Sequence, residues 1–262
     1  MLSFRAPRRA TLLGAVLLVS LLPALTLGCA NKRPPARPSV LVSPYPAGRE
    51  IVLAVAPLRN ESGVSFIDEL ALSDTLVNEA QAVEGITILP VNRTLGAMRA
   101  LKIATVSSQS DALAVCKTLG IDGLIVGTVH AWHPYDPPII GMSLSLFGMD
   151  DRLRAPAAIQ VDARSLRSAV TDLPVADAAI PAGPLSAQSA VLDASDGNTR
   201  ALIRGYAEGR HDPDSALGWR RYTASMALYA KFACHEMTRR LLESERARLR
   251  GLEARSETGS AR

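Results

Sequence analysis

The residues best spaced for chemistry in this 262-residue chain form two small groups. His130 and His133 precede Asp136, and such nitrogen and oxygen atoms are ligands that zinc accepts. Residues three apart on a strand point to opposite faces, so this pair suits a metal only where a turn intervenes. Cys234 and His235 place a thiol beside a base, but neighbouring helical positions diverge by about 100°. We therefore predict no catalytic residue, no metal site and no cofactor.

Motifs of common enzyme classes are missing as well. The chain has no G-x-G-x-x-G, no G-x-x-x-x-G-K-S/T, no G-x-S-x-G and no H-E-x-x-H. A hydrolase with a noncontiguous site stays an alternative, and residues 169–190 are the segment that could hold it.

The start of the chain has the charge and hydropathy pattern of an export signal. Three arginines lie within residues 1–9, residues 11–28 are almost uninterrupted apolar sequence, and no acidic residue precedes Glu50. We predict a signal peptide over residues 1–28. The apolar stretch approaches the length that spans a bilayer, so an uncleaved anchor stays an alternative.

Cys29 ends this stretch in a pattern that resembles the bacterial lipobox. Gly28 precedes the cysteine, and Leu25 lies one residue further from it than the usual leucine, where Thr26 stands. The resemblance implies cleavage between Gly28 and Cys29 and acylation of Cys29, which becomes the new first residue. A chance cysteine after an ordinary signal peptide is the alternative.

An acylated Cys29 predicts a lipid anchor in the cell envelope, with the chain facing the periplasm. One acyl chain binds a bilayer marginally, whereas two or more anchor a protein stably. Ala30 follows the cysteine, which resembles the address of outer-membrane rather than inner-membrane lipoproteins. Residues 29–49 contain five prolines and predict an extended tether.

Removal of the signal peptide also removes most of the positive charge. Lys+Arg fall from 29 to 26 against 25 Asp+Glu, and the formal net charge drops from +4 to +1. A basic surface for nucleic acid is therefore not predicted.

The rest of the chain predicts an α/β fold: a mixed sheet of about five strands with flanking helices and a long C-terminal helix. A helix is expected from Val64, with Phe66 and Leu70 in its apolar stripe. The predicted strands cover residues 50–58, 86–91, 122–132, 139–147 and 157–167, the last as an antiparallel partner. The predicted organisation is an α/β domain over 50–168, an irregular loop over 169–197, helices over 198–250 and a disordered tail over 251–262.

Three motifs in this order resemble a periplasmic α/β domain. They are IVLAVAPLRNESG, ITILPVNRTLGAM and CKTLGIDGLIVGTV. The domain is shared by curli-secretion lipoproteins, the amino-terminal domain of TolB and penicillin-binding-protein activator lipoproteins. Leu58 replaces the usual aromatic residue and Ile121 the usual alanine. The resemblance implies a non-enzymatic domain that binds proteins in the envelope.

Two loops are the candidates for partner contact, because loops held by a rigid sheet often carry binding. The candidate residues are Arg59, Asn60, Glu61, Ser62, Trp132 and Tyr135. A plain strand-to-helix turn is the alternative for the first loop. For the second, the alternative is a connection whose aromatic rings pack on the core.

The sequence thus predicts a membrane-anchored envelope lipoprotein, accessory to envelope assembly, secretion or transport. A curli-like oligomeric channel is an alternative, in which residues 138–164 would enter the membrane as a hairpin, and a homo-oligomer stays open. A disulfide between Cys116 and Cys234 also stays open, because an oxidising compartment allows it.

Overall fold

The apolar run after Glu50 forms a central strand of the sheet, β1 (Ile51–Val55), which is buried along nearly its whole length. Its side chains are apolar on both faces, as a parallel strand covered on both sides requires. β3 (Ile86–Leu89) pairs with one edge of β1 and β4 (Gly123–His133) with the other, both in parallel.

The computed structural model describes residues 38–46, 50–148, 153, 183–211 and 215–260, all within one compact unit, Arg37–Arg262. The remaining strands in this part of the chain are β2 (Arg59–Asn60), β5 (Ile139–Gly148) and β6 (Ser186–Asp193). The helices are α1 (Glu69–Gln81), α2 (Val91–Ala100), α3 (Gln109–Leu119), α4 (Gly197–Ala207), α5 (Arg221–Ala224) and α6 (Met226–Ser260).

The sheet is mixed, with the order β3-β1-β4-β5-β6, and β2 pairs in parallel with β4 beyond the end of β1. β5 is antiparallel to both of its neighbours, β4 and β6. The predicted fold class is therefore confirmed, with six strands rather than about five in the described residues.

Helices cover the sheet on two sides and define two apolar layers. α1 and α6 contribute Leu76 and Phe232 to the larger layer, which includes Met142 of β5. α2 and α3 contribute Met98 and Val115 to a smaller layer. α3 begins with a capping box between Ser108 and Asp111 and ends at Gly120, which forms a left-handed C-cap with a φ of 66°.

The antiparallel partner of β5 differs from the prediction. Residues 186–193, expected to be irregular loop, form the edge strand β6. β6 is built from alanine and serine around Leu192, so its sequence has little hydrophobic alternation. Pairing with β5 over eight positions holds it in place. The predicted strand 157–167 and the loop residues 169–182 lie outside the described residues.

The second half of the predicted tether is packed on the domain. Ser43 and Glu84 bond through their backbones at 2.9 Å, and Val42 makes an isolated bridge to Glu84. Tyr45 is buried, and Leu41 packs on the larger layer. Residues 38–46 are thus not a free spacer, because their apolar side chains have a place in the core.

The C-terminal helical part also differs from the prediction in its limits. A long helix was expected from the acidic residues at 212–214, but a 3₁₀ turn, Gly218–Arg220, and the short α5 precede α6. α6 then continues past Gly251 to Ser260, where the sequence predicts a disordered tail. One glycine in a run of good helix formers lowers helix stability without ending the helix.

Cys116 and Cys234 are both free and buried. They lie in the two different apolar layers, so they do not form the disulfide that the sequence leaves open. Burial raises the pKa of the Cys116 thiol to about 12, which keeps it protonated and unreactive.

Candidate functional site

The first candidate loop begins at β2, which extends the sheet by two residues. Arg59 pairs with Thr128 and Asn60 with Val129 of β4. The Glu61 N–H then donates to the Val129 carbonyl at 2.8 Å. The segment is therefore fixed to the sheet at the end where β1 finishes.

Asn60 organises the turn that follows β2. Its Nδ2 donates to the Val64 carbonyl at 2.7 Å, and its Oδ1 accepts from the backbone and hydroxyl of Ser62 at 3.1 and 2.7 Å. Ser62 Oγ accepts in turn from the Val64 N–H. Gly63 has a φ of 77°, the left-handed region that glycine adopts without strain. Asn60 and Ser62 thus shape the loop from inside it.

Arg59 and Glu61 form an ion pair on the outside of the same loop. Both side chains are more than two-fifths exposed, at 44% and 49%, so the pair adds little to stability. Their charges remain accessible to a partner. In the first loop, Arg59 and Glu61 are therefore the predicted contact residues whose charged groups face solvent.

The second candidate loop, residues 134–138 between β4 and β5, separates the two predicted aromatic residues. Trp132 is half-buried and packs on the larger apolar layer. Tyr135 is 72% exposed and meets the ring of His133 edge-on at 5.5 Å. Trp132 therefore packs on the core, as the alternative for this loop expected. Tyr135 is the aromatic residue of the loop that is available for contact with a partner.

Two exposed apolar residues near the first loop were not predicted as surface. Phe66 is 70% and Leu70 49% exposed. The helix begins at Glu69 rather than at Val64, because Asp68 caps it by accepting from the Ala71 N–H at 2.9 Å. Asp68 was the signal that could have excluded Phe66 from the helical stripe, since aspartate is a preferred N-cap residue.

Both candidate loops lie at the same end of the sheet. The first loop is bonded to Val129, and β4 continues only four residues further to His133, a distance of roughly 13 Å. Phe66, Tyr135 and the Arg59–Glu61 pair therefore share this end, which we call the loop end. It combines exposed rings with accessible charges.

The histidines considered for zinc are not brought together by the structure. His130 lies at an irregularity in β4, with its Nε2 3.4 Å from Ser189 Oγ, whereas His133 contacts Tyr135. Among the residues that the structure describes, no group of three His, Cys, Asp or Glu side chains could hold a metal ion.

His235 and Glu236, beside Cys234, turn away from each other on α6. The His235 ring packs on Tyr206 of α4 and has Nδ1 3.5 Å from Glu79 Oε2. Burial raises the pKa of Glu236, but hydrogen bonds from Arg239 and Arg240 outweigh it and lower the pKa overall. Both groups are buried: His235 contacts α4 and α1, whereas Glu236 is paired with arginines of its own helix.

Replacement of Asn60 by alanine is expected to loosen the first loop with a modest loss of stability. The variant loses all three side-chain hydrogen bonds of Asn60, at about 1 kcal/mol for a typical bond in a partly exposed site. Hydrogen exchange at Ser62 and Val64 should speed up while exchange in β1 stays the same. Asn60→Asp is the matched control, since it keeps the acceptor and removes only the donor. Unchanged exchange in Asn60→Ala would contradict the role of Asn60.

No protein-family model matches the chain, and no curated protein matches it in sequence. Solved structures with similar parts include the C-terminal domain of LpoB from Salmonella enterica, at 20% identity over 38% of this chain and 76% of that one, with a TM-score of 0.30. Lipoprotein GNA1162 from Neisseria meningitidis matches at 14% identity over 58% of this chain and 92% of its own, with a TM-score of 0.34.

The PelC dodecamer from Paraburkholderia phytofirmans matches at 13% identity over 44% of this chain and 69% of that one, with a TM-score of 0.26. Lipoproteins are thus among the similar structures, including one of the penicillin-binding-protein activator kind that the motifs resemble. TM-scores this low do not establish a common fold, so the function is argued from the residues of this chain.

Proposed function

We propose that this chain is a lipid-anchored protein of the bacterial envelope whose domain binds a protein partner at the loop end without catalysis. The observation that carries the proposal is the position of both predicted loops at one end of the sheet. There Phe66 and Tyr135 are 70% and 72% exposed beside an accessible ion pair. Exposed aromatic residues with a polar surround are typical of protein contact surfaces.

The anchor is supported by the sequence around Cys29, which lies outside the described residues. A basic start, an apolar stretch and a small residue before the cysteine agree with the lipobox pattern. In the described part of the chain, no helix has the length and apolar character needed to cross a bilayer. Ala30 after the cysteine supports attachment in the outer membrane rather than the inner one.

The Cys29→Ser variant is expected to lose all incorporation of palmitate in cells. Serine cannot form the thioether that carries the first acyl group, so cleavage and further acylation should stop as well. Labelling with a clickable palmitate analogue measures this directly, and Cys116→Ser is the matched control because Cys116 is buried. Equal labelling of Cys29→Ser and the wild type would contradict the anchor.

Binding at the loop end can be tested by photocrosslinking in cells. A photoreactive residue at Phe66 or Tyr135 should capture one common partner. The same residue at Leu101, which is 36% exposed after α2, should not capture it. Equal capture from all three positions, or no capture from the loop end, would contradict the proposed surface.

The alternative of a membrane channel is less favoured by the position of β5. In the hairpin proposal β5 would enter a bilayer, but it lies between β4 and β6 in the sheet, with Met142 and Leu144 buried in the core. The hydrolase alternative relied on residues 169–190. The described part of that segment, residues 183–190, contributes small side chains to β6.

A further inference from the structure

A second charged surface lies around Trp219 in the 3₁₀ turn before α5. The guanidinium of Arg204, from α4, is 4.7 Å from the centre of the indole ring, and that of Arg220 is 5.1 Å from it. Arg200 lies one turn before Arg204 on α4, and Arg221 follows Arg220 in the chain. We call these four arginines and Trp219 the arginine patch.

In the described residues, the arginine patch has no acidic partner. None of its four arginines makes an ion pair with an acidic side chain within the part of the chain that the structure describes. The acidic group at the end of α4, Glu208, is exposed and makes no ion pair there either. By contrast, Arg239 and Arg248 of α6 bind buried carboxylates. Among the described residues, the two guanidinium groups on the indole ring are therefore held together without an acidic partner.

The surroundings of the patch are apolar as well as basic. Leu217, two residues before the tryptophan, is 55% exposed. Trp219 itself is half-buried, with its ring covered by the two guanidinium groups. Tryptophan prefers the boundary between water and lipid, and arginine binds phosphate through paired N–H groups. An anionic membrane satisfies the charges and also takes up the exposed leucine in its interfacial layer, whereas an acidic protein surface is the outcome that the test below must separate from it.

We propose that the arginine patch binds the phosphate groups of anionic phospholipids, so that the domain contacts the surface of a membrane in addition to its lipid anchor. Arg204 and Arg220 would bind headgroup phosphate, while Leu217 and Trp219 would enter the interfacial layer. The contact rests on the proposed envelope location. It does not require acylation of Cys29, so the two proposals can fail separately.

The test uses the compact unit Arg37–Arg262, which contains the complete described core and lacks Cys29. All samples carry Trp132→Phe. Of the two tryptophans in the sequence, only Trp219 then remains to report on binding. Circular dichroism first confirms that each variant is folded. Binding is then measured by sedimentation with vesicles that contain phosphatidylglycerol and with vesicles of phosphatidylcholine alone, and by the emission of Trp219.

We expect binding to the phosphatidylglycerol vesicles with a blue shift of Trp219 emission, and weak binding to phosphatidylcholine. Arg204→Gln with Arg220→Gln should lower the partition coefficient by about thirtyfold, because each basic residue near an anionic surface contributes roughly one factor of five. The matched control is Arg93→Gln with Arg99→Gln. It removes the same charge from exposed positions of α2 and should change binding much less.

Three results would overturn the proposal. The first is no binding to phosphatidylglycerol vesicles, and the second is an equal loss in both double variants, which would show that only net charge matters. The third is an equal emission shift with polyglutamate or with inorganic phosphate but none with vesicles. That outcome would assign the patch to an acidic protein or to free phosphate.

Discussion

Replacement of Arg248 by methionine is expected to lower the free energy of unfolding by roughly 3–5 kcal/mol. Arg248 lies on α6 and donates to both oxygens of Glu245, through Nε at 2.8 Å and through Nη2 at 2.5 Å. The Glu245 side chain is fully buried, at 0% exposure. Without the Arg248 guanidinium, the buried Glu245 carboxylate loses its positively charged partner. A buried carboxylate without such a partner is the reason for the large loss of stability.

Tyr45 is the other partner of this carboxylate. Its hydroxyl donates to Glu245 Oε1 at 3.0 Å. Burial raises the pKa of Tyr45, and the nearby Glu245 carboxylate raises it further, so the hydroxyl keeps its proton. One neutral hydrogen bond cannot replace the charge of Arg248. The hydrogen bond between Tyr45 and Glu245 also fixes residues 38–46 to the domain. Loss of this hydrogen bond should therefore release the segment that leads towards Cys29.

Urea unfolding of the unit Arg37–Arg262 measures this effect, and a combined variant provides the control. Arg248→Met with Glu245→Leu and Tyr45→Phe removes the charge pair and the hydroxyl together. Because apolar replacements of a whole buried pair are often neutral, this variant should recover most of the lost stability. A loss below about 1 kcal/mol in Arg248→Met alone would show that water reaches Glu245.

The sequence predicts the centre of the fold well because its signals there are strong. β1 and β4 are dense in branched apolar residues, and Gly120 ends a helix where only a residue tolerant of positive φ fits without strain. β6 is missed for the opposite reason. Its alanines and serines carry little signal, and its pairing partner, β5, is distant along the chain.

The candidate site shows the same division. The turn residues Asn60 and Ser62 could be recognised locally, because their side chains bond to the adjacent backbone. Phe66 is assigned to the helix because its spacing also fits a helical stripe; the local signal against this is Asp68, which caps the helix so that it begins at Glu69. The docking of Tyr45 against Glu245 joins residues 200 positions apart, a contact that no local pattern predicts.

The arginine patch illustrates a similar limit. The composition and net charge give no basic surface once the first residues are removed, and residues 205–219 separate Arg204 from Arg220 in the chain. Only folding places both guanidinium groups on the ring of Trp219. The overall charge balance therefore hides a local excess of positive charge.

A matched pair of glycine variants tests how the core positions the loop end. Gly127 of β4 faces Leu58, the residue before β2. A Cβ added there would lie 2.4 Å from Leu58 Cδ2 and 2.7 Å from Leu144 Cδ2. These close contacts come from Leu144 of the neighbouring strand β5 and from Leu58 in the connection between β1 and β2. Both leucines are buried, at 1% exposure.

Gly127→Ala is therefore expected to lower the free energy of unfolding by about 1–3 kcal/mol, because overpacking a dense core displaces side chains and backbone. Gly96→Ala is the control. Gly96 lies inside α2 with nothing within 4 Å of an added Cβ, so alanine should raise stability by roughly 0.5–1 kcal/mol. Thermal and urea unfolding of the two variants should thus shift in opposite directions.

The displaced Leu58 links this change to binding. The Leu58 N–H donates to Ser73 Oγ at 2.8 Å, and the next residue, Arg59, begins β2. A shift of Leu58 should therefore move the first loop and lower crosslinking from Phe66, even in variants that remain folded. Leu58→Ala should restore space, so the double variant with Gly127→Ala should lose less stability than the sum of the single losses. Additive losses would mean that Leu144 alone absorbs the clash and that the loop end does not depend on Gly127.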